Sequence, residues 1–288
     1  FIASELEKRL ADFKHSESAL VFNTGYMTNL GVLYGLLQTG DVVFSDELNH
    51  ASIIDGCRIS RCKVVVYKHN DMADLQRLLE TEIVTGQRFI VTDGVFSMDG
   101  DIADLPSLAV LKKQFNAFLI VDDAHGVGVI GNDGSGTASH YGLTDVIDLQ
   151  VGTLSKALAA EGGYVAGKKI LIDYLINRSR PFIFSTALAP ATLAAANAAL
   201  LLLQTQASKY LDSLRANSRL MRRLLLEGGL NVVEGITPII PVVIGEAGLT
   251  MQFADRLKSK GILVSGIRPP TVPRGESRLR ITVTAAHC

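Results

Sequence analysis

The chain has no tryptophan, three cysteines and eight prolines, and aromatic residues make up only 6% of its 288 positions. The thiols, Cys57, Cys62 and Cys288, are too few for a disulfide framework, which favours a reducing cytosol. Cys57 and Cys62 also lack the neighbouring ligands that a zinc site needs. An excess of one charge is missing too: 28 Lys and Arg stand against 29 Asp and Glu, a net charge of -1. No basic field is present to draw in nucleic acid or an anionic membrane, so small molecules or a second copy of the chain are the expected partners. No signal peptide pattern occurs. The most apolar run, LAPATLAAANAALLLL (188–203), is interrupted by Pro190, Thr192 and Asn197 and reads as a long, mostly buried helix rather than a membrane span. Neither repeats nor low-complexity tracts appear. The chain opens on FIASELEKRLADF, already in helical period and without a start methionine, and stops just after RLRITVTAAHC. These ends are those expected of a fragment of a longer protein.

What is present is a globular pattern, 48% hydrophobic and 20% charged. Short β-branched runs alternate with helical stretches, the mark of βαβ units. The strands are expected at 41–44, 63–67, 89–94, 118–123 and 148–153, with helices between them at 72–84 and 105–115. FIVTDG and FLIVDD are apolar throughout until their ends, as in strands covered on both faces. The fold class is therefore α/β, with a mostly parallel central sheet sandwiched by helices over residues 1–205. A smaller α+β domain is expected over 206–288, from a long helical stretch, PIIPVVIG, the helix LTMQFADRLKSKG, ILVSGI and RLRITVTA.

In such sheets ligands gather beyond the carboxyl ends of the strands. Three consecutive strands end in reactive residues: Asp93 and Ser97, Asp122 and His125, Thr153 and Lys156. Lys156 lies in GTLSKALAAEGG (152–163). Taken alone it is a solvated loop lysine; with its neighbours it suits an amine that forms an imine with an aldehyde cofactor. In VDDAHGVGVIG (121–131), Asp122 can hold a protonated pyridine nitrogen and His125 can reach a phenolic oxygen. Equally, Asp122 can cap the turn while His125 satisfies backbone groups. The segment GGYVAGKK (162–169) nearly matches a phosphate-binding loop, but Lys169 stands where Ser or Thr must bind magnesium, which excludes nucleotide chemistry. Gly25 opens a helix, so its amide and that of Tyr26 could bind a phosphate. His50 stands at another helix start, as a cap or as a ring that stacks on a planar ligand. Arg280 alternates with Leu279 and Ile281 and could clamp a carboxylate or guard a sheet edge.

Together these segments resemble the α-oxoamine synthase family, fold-type I pyridoxal-phosphate enzymes related to aspartate aminotransferase, in the same order along essentially the whole chain. HASIIDG, HNDMADL, GVFSMDGD, VDDAHGVGVIG and above all IRPPTVP are similar to the branch that joins L-alanine to a pimeloyl thioester in biotin synthesis. LNHASIIDG suits glycine C-acetyltransferase equally well, and a non-catalytic partner subunit of the same fold would lack the lysine. The resemblance implies that Lys156 carries pyridoxal 5'-phosphate as a Schiff base, His50 stacks on its ring, and Asp122 pairs with the pyridine nitrogen. It places His125 and Ser97 near the phenolic oxygen and gives the phosphate to Gly25, Tyr26 and Thr153. Ser185 and Thr186 would reach the phosphate of a neighbouring subunit in a homodimer, and Arg280 the amino-acid carboxylate. The acyl substrate would arrive on CoA or an acyl carrier protein, and no metal is implied. The sequence departs from the family where Ala159 replaces a glycine and where the family's N-terminal segment is not found.

Overall fold

A computed structural model describes residues 2–287 of the chain. The chain forms two compact units: one takes everything up to Val95 together with Ile102–Ala207, and the other takes Phe96–Asp101 with everything from Ser208 onward.

In chain order the first unit carries α1 (Ile2–Phe13), β1 (Ser18–Phe22), α2 (Gly25–Leu36), β2 (Val42–Asp46), α3 (Ala51–Ile59) and β3 (Lys63–Tyr67). It continues with α4 (Met72–Thr81), β4 (Arg88–Asp93), α5 (Leu105–Gln114), β5 (Ala117–Asp122), α6 (Thr137–His140) and β6 (Leu149–Thr153). Then come β7 (Gly163–Gly167), α7 (Lys169–Arg178), α8 (Arg180–Ile183) and α9 (Pro190–Glu227), which leaves helical geometry at Gln206 (φ -135, ψ 21), next to the boundary between the units. The second unit adds β8 (Ile239–Gly245), α10 (Ala247–Ser259), β9 (Ser265–Ile267) and β10 (Ser277–Thr282).

Seven strands make the first sheet, in the order β1-β7-β6-β5-β4-β2-β3. The five apolar runs read from the sequence pair in parallel. The remaining two strands, β1 and β7, were not foreseen; β7 runs antiparallel to both of its neighbours. GYVAG within β7 is short and glycine-bounded, so local propensity does not mark it. Pairing with β6 makes it a strand.

Both faces are covered, which is why the central strands are apolar throughout. On one face Leu20, Phe22, Val43, Val91, Ile120, Val151 and Val165 pack with Val32 and Leu33 of α2, Ile53 of α3 and Leu175 of α7. On the other, Ala19, Val21, Tyr164 and Ala166 pack with Leu6 and Leu10 of α1 and Leu193, Ala196 and Leu200 of α9. The period of two along β1 and β7 sends alternate residues to opposite faces. The 188–203 run differs from expectation. Only the stripe Leu193, Ala196, Leu200 and Leu203 is buried, while Leu201 and Leu202 are exposed, because a helix lying on a sheet buries one face.

The second unit is a three-stranded antiparallel sheet, β8-β10-β9, around Val232, Ile240, Val242, Ala254 and Leu279. The segment 96–101 belongs to it rather than to its sequence neighbours: Thr237 Oγ1 donates to the Gly100 carbonyl at 2.6 Å, and Arg278 pairs with Asp99. The expected strand ILVSGI shortens to Ser265–Ile267, the three positions that find partners on β10.

Lys14, just past α1, buries its ammonium against Asp123 Oδ2 at 2.8 Å and also donates to the Ser135 carbonyl; side-chain exposures of the pair are 0% and 1%. Asp123 additionally accepts from the Thr137 hydroxyl at 2.8 Å, so the segment after β5 is closed around it. Replacing Lys14 with Ala strands a buried carboxylate and is expected to cost about 3–5 kcal/mol. Urea unfolding measures this, and a loss below about 1 kcal/mol, the scale of a surface pair, would show that the ion pair does not hold the segment.

Candidate active site

β4, β5 and β6 are adjacent and parallel, so the residues at their carboxyl ends meet. Asp93 and Asp122 face each other in register, each only 6% exposed. Asp122 Oδ2 accepts from the Asn29 side-chain amide at 2.6 Å, and Oδ1 from the Ala124 amide at 3.0 Å. Asp93 accepts from the His50 amide at 3.2 Å. Burial raises both carboxyls above the ordinary 3.8, Asp93 well above it, where the Asp122 charge adds to the effect. The Asn29 and Ala124 donors and the positive Lys156 pull Asp122 back down. Of the two, Asp93 is raised the further, because the Asn29 and Ala124 donors offset burial at Asp122.

Lys156 sits in an exposed turn after β6, closed by bonds from the Ala159 amide to its own carbonyl (3.1 Å) and from the Ala160 amide to the Leu154 carbonyl (2.9 Å). The turn after β5 packs directly on it. Gly128, in left-handed conformation (φ +70), lies so close that a Cβ there would stand 2.5 Å from Ala157 Cβ. This contact brings the His125 turn to the lysine turn. Ala159 itself has φ 49, the region glycine favours, which accounts physically for glycine at this position in the family.

Thr24 caps α2: its hydroxyl takes the Met27 amide at 3.0 Å and its carbonyl the Thr28 amide at 3.0 Å. The amides of Gly25 and Tyr26 remain at the open, positive helix end. That end lies against the sheet. A Cβ on Gly163 would fall 2.6 Å from the Gly25 nitrogen, and one on Gly25 would fall 3.3 Å from Thr153 Oγ1. Gly163 of GGYVAGKK thus serves the close approach of α2 to β7, within a segment that imitates a nucleotide loop. The Thr153 hydroxyl donates to the Gly162 carbonyl at 3.0 Å and accepts from the Ser155 amide at 3.2 Å. Tyr26 turns its exposed ring away to donate to Asp55, which raises its phenol.

His50 is the cap of α3, with Nδ1 accepting from the Ser52 amide at 3.2 Å. His125 is half-buried in the turn after β5. Ser185 and Thr186 lie between α8 and α9, where the Thr186 carbonyl accepts from Asn23 at 2.7 Å. The first unit thus gathers Gly25, His50, Asp122, Thr153 and Lys156. Ser97 and Arg280 belong to the second unit, where Arg280 Nε donates to the Ser97 carbonyl and Nη1 to Thr282 Oγ1 at 3.2 Å. β10 is the central strand of its sheet, so Arg280 is not an edge charge; burial lowers its guanidinium from the ordinary value. Cys57 is a buried thiol pushed up to about 12 by desolvation, unsuited to nucleophilic work. Cys288 lies outside the described residues.

Asn29 and Ser52 were not among the expected site residues, and Asp93 was marked only as a strand-end residue without a role of its own. Asp93 ends an apolar strand in the same way as Asp122, and Asn29 interrupts the apolar helix α2. Both signals were available, since a polar residue on a buried face needs a partner.

A family model for aminotransferases of class I and II matches residues 1–288, and the chain belongs to this family. It is 50% identical over 286 residues to an 8-amino-7-oxononanoate synthase of Lysinibacillus sphaericus, covering 99% of this chain and 73% of that protein. It is 53% identical over 284 residues to the enzyme of the same name from Geotalea daltonii, covering 98% and 72%. Among solved structures it is similar to SPT with a PLP internal aldimine, at a TM-score of 0.95 and 33% identity, covering 99% of this chain and 72% of that one.

The Asp93–Asp122 pair makes stability depend on pH. A carboxyl raised in the folded state holds its proton longer there, so its contribution is present below 3.8 and is lost as pH rises through the raised folded value. Between pH 3.8 and neutrality the wild-type chain is expected to lose stability relative to Asp93→Asn. Urea midpoints of both proteins across that range measure it, and parallel curves would show that Asp93 does not carry the proton.

Proposed function

We propose that the chain is an 8-amino-7-oxononanoate synthase, a pyridoxal-phosphate-dependent acyltransferase that condenses L-alanine with a pimeloyl thioester and releases carbon dioxide. The observation that carries the reading is the meeting of a buried aspartate, a lysine turn and an open helix end at neighbouring strand ends. It occurs in a chain 50–53% identical to enzymes of that name. This donor set fits a flat, phosphorylated pyridine aldehyde: the Gly25 and Tyr26 amides suit its phosphate, Asp122 its ring nitrogen and Lys156 its aldehyde.

When bound, the cofactor supplies an electron sink for negative charge at the α-carbon of the amino acid. Asp122, which accepts from Asn29 and Ala124, would accept a hydrogen bond from a protonated ring nitrogen. Lys156 would hold the cofactor through its aldehyde, and its free Nζ would be the group placed to take a proton from the α-carbon of the amino acid. His50 would lie over the ring, and His125 would serve the phenolic oxygen. Thr153 assists at the phosphate, as do Ser185 and Thr186 from a partner subunit of a homodimer. Arg280, on the second unit, carries a guanidinium fork of the kind that suits a carboxylate. The acyl group arrives on CoA or an acyl carrier protein. No helix among the described residues is long and apolar enough to cross a membrane, and we place the enzyme in the cytoplasm.

The purified protein with pyridoxal phosphate is expected to show an imine absorbance band that shifts with L-alanine but not with glycine. It should turn over alanine with a pimeloyl thioester. Lys156→Ala should lose the band and the turnover together; retention of either would overturn the assignment. Turnover of glycine with acetyl-CoA instead would identify glycine C-acetyltransferase.

A further inference from the structure

We propose that Asn29 and Ser52 form a directional hydrogen-bond relay from Asp122 to His50, which holds His50 as the neutral tautomer protonated on Nε2. Both are positioning residues, and their bearing on the reaction rests on the reading that His50 faces the cofactor.

Asn29 lies on the buried face of α2, 3% exposed, and Ser52 in the first turn of α3 is 1% exposed. A side-chain amide nitrogen carries two hydrogens and no acceptor. Asn29 Nδ2 gives one hydrogen to Asp122 Oδ2 at 2.6 Å and the other to Ser52 Oγ at 2.9 Å. The opposite orientation of the amide would point its oxygen at a carboxylate, so the charge on Asp122 sets the direction. Ser52 Oγ, having accepted from Asn29, has one hydrogen of its own, and its neighbour at 2.7 Å is His50 Nδ1. The Ser52 backbone amide also points at Nδ1, from 3.2 Å. Two donors converge on one ring nitrogen and leave no room for a proton on it. The ring proton therefore lies on Nε2.

Every link in this chain has a fixed sense, from carboxylate to amide to hydroxyl to imidazole. The charged groups around it are consistent with that sense. Asp93, at the end of β4, takes the backbone amide of His50 and so anchors the residue without touching the ring. Lys156 acts on Asp122 and favours its ionised form. Removing the Ser52 hydroxyl breaks the relay at its centre while leaving both ends in place.

Nitrogen-15 labelling of the histidines in the full chain, with the His50 signal among the six assigned by His50→Gln, reads the tautomer directly. The expected result for the wild-type protein at neutral pH is an acceptor-type Nδ1 and a protonated Nε2, both without cofactor and after adding pyridoxal phosphate. Ser52→Ala leaves only the longer backbone-amide bond on Nδ1; it should shift the Nδ1 signal toward that of a weakly hydrogen-bonded acceptor and lower kcat about tenfold, the scale of one lost buried hydrogen bond. Ser52→Thr, which keeps the hydroxyl, should restore both. A wild-type His50 protonated on Nδ1 would overturn the relay, as would a Ser52→Ala protein, shown by its melting to be folded, with an unchanged His50 signal. Because the tautomer is read without cofactor, failure of the imine band to form would count against the enzyme assignment alone.

Discussion

A carboxylate at the end of a strand buried on both faces has no water to turn to, and its donors must come from the protein itself. Asp122 sets this requirement for the first unit. One oxygen is met by the Ala124 amide, which bends the chain into the turn that carries His125. The other is met by Asn29, which ties α2 to the sheet at the level of the strand ends. With α2 so placed, its first turn must approach β7 more closely than a side chain allows, and Gly163 permits it. From Asn29 the bonding continues through Ser52 to His50, and α3 is placed as well. The helix end, the imidazole and the carboxylate are parts of one constraint.

The adjacent acid does the opposite work. Asp123 takes no part in that network and is locked to Lys14, just past the end of α1 on the other side of the sheet. Two aspartates next to each other in the chain thus serve opposite faces, as the alternation of extended backbone requires. One joins the network through Asn29, and the other closes the segment behind it. A buried pair such as Lys14–Asp123 is a weak source of net stability, but breaking it is costly, so its effect is to specify one arrangement. Gly128 packing on Ala157 completes the specification by fixing the distance between the two functional turns.

Shape and substrate are separate matters here. The backbone matches SPT at a TM-score of 0.95 with 33% identity, so fold alone does not separate the members of this family. The 50–53% identity to 8-amino-7-oxononanoate synthases is what points to one branch. Side chains that select an amino acid can change while the strand ends that hold a common cofactor stay where they are.

The amino-acid order alone determined the five parallel strands, because uninterrupted apolar runs between helical stretches have no other stable packing. It also determined which residues stand at their carboxyl ends, since position in a strand is a local property. The starts of α2 and α3, with Gly25 and His50, were legible from cap and turn residues for the same reason. Tertiary structure decided what no local signal carries. β7 is a strand because β6 and β1 pair with it, and residues 96–101 join the second unit because Thr237 and Arg278 hold them. Asn29 and Ser52 became partners of Asp122 and His50 only when two helices met over the sheet. A buried polar side chain announces that it needs a partner; only the folded chain decides which one it meets.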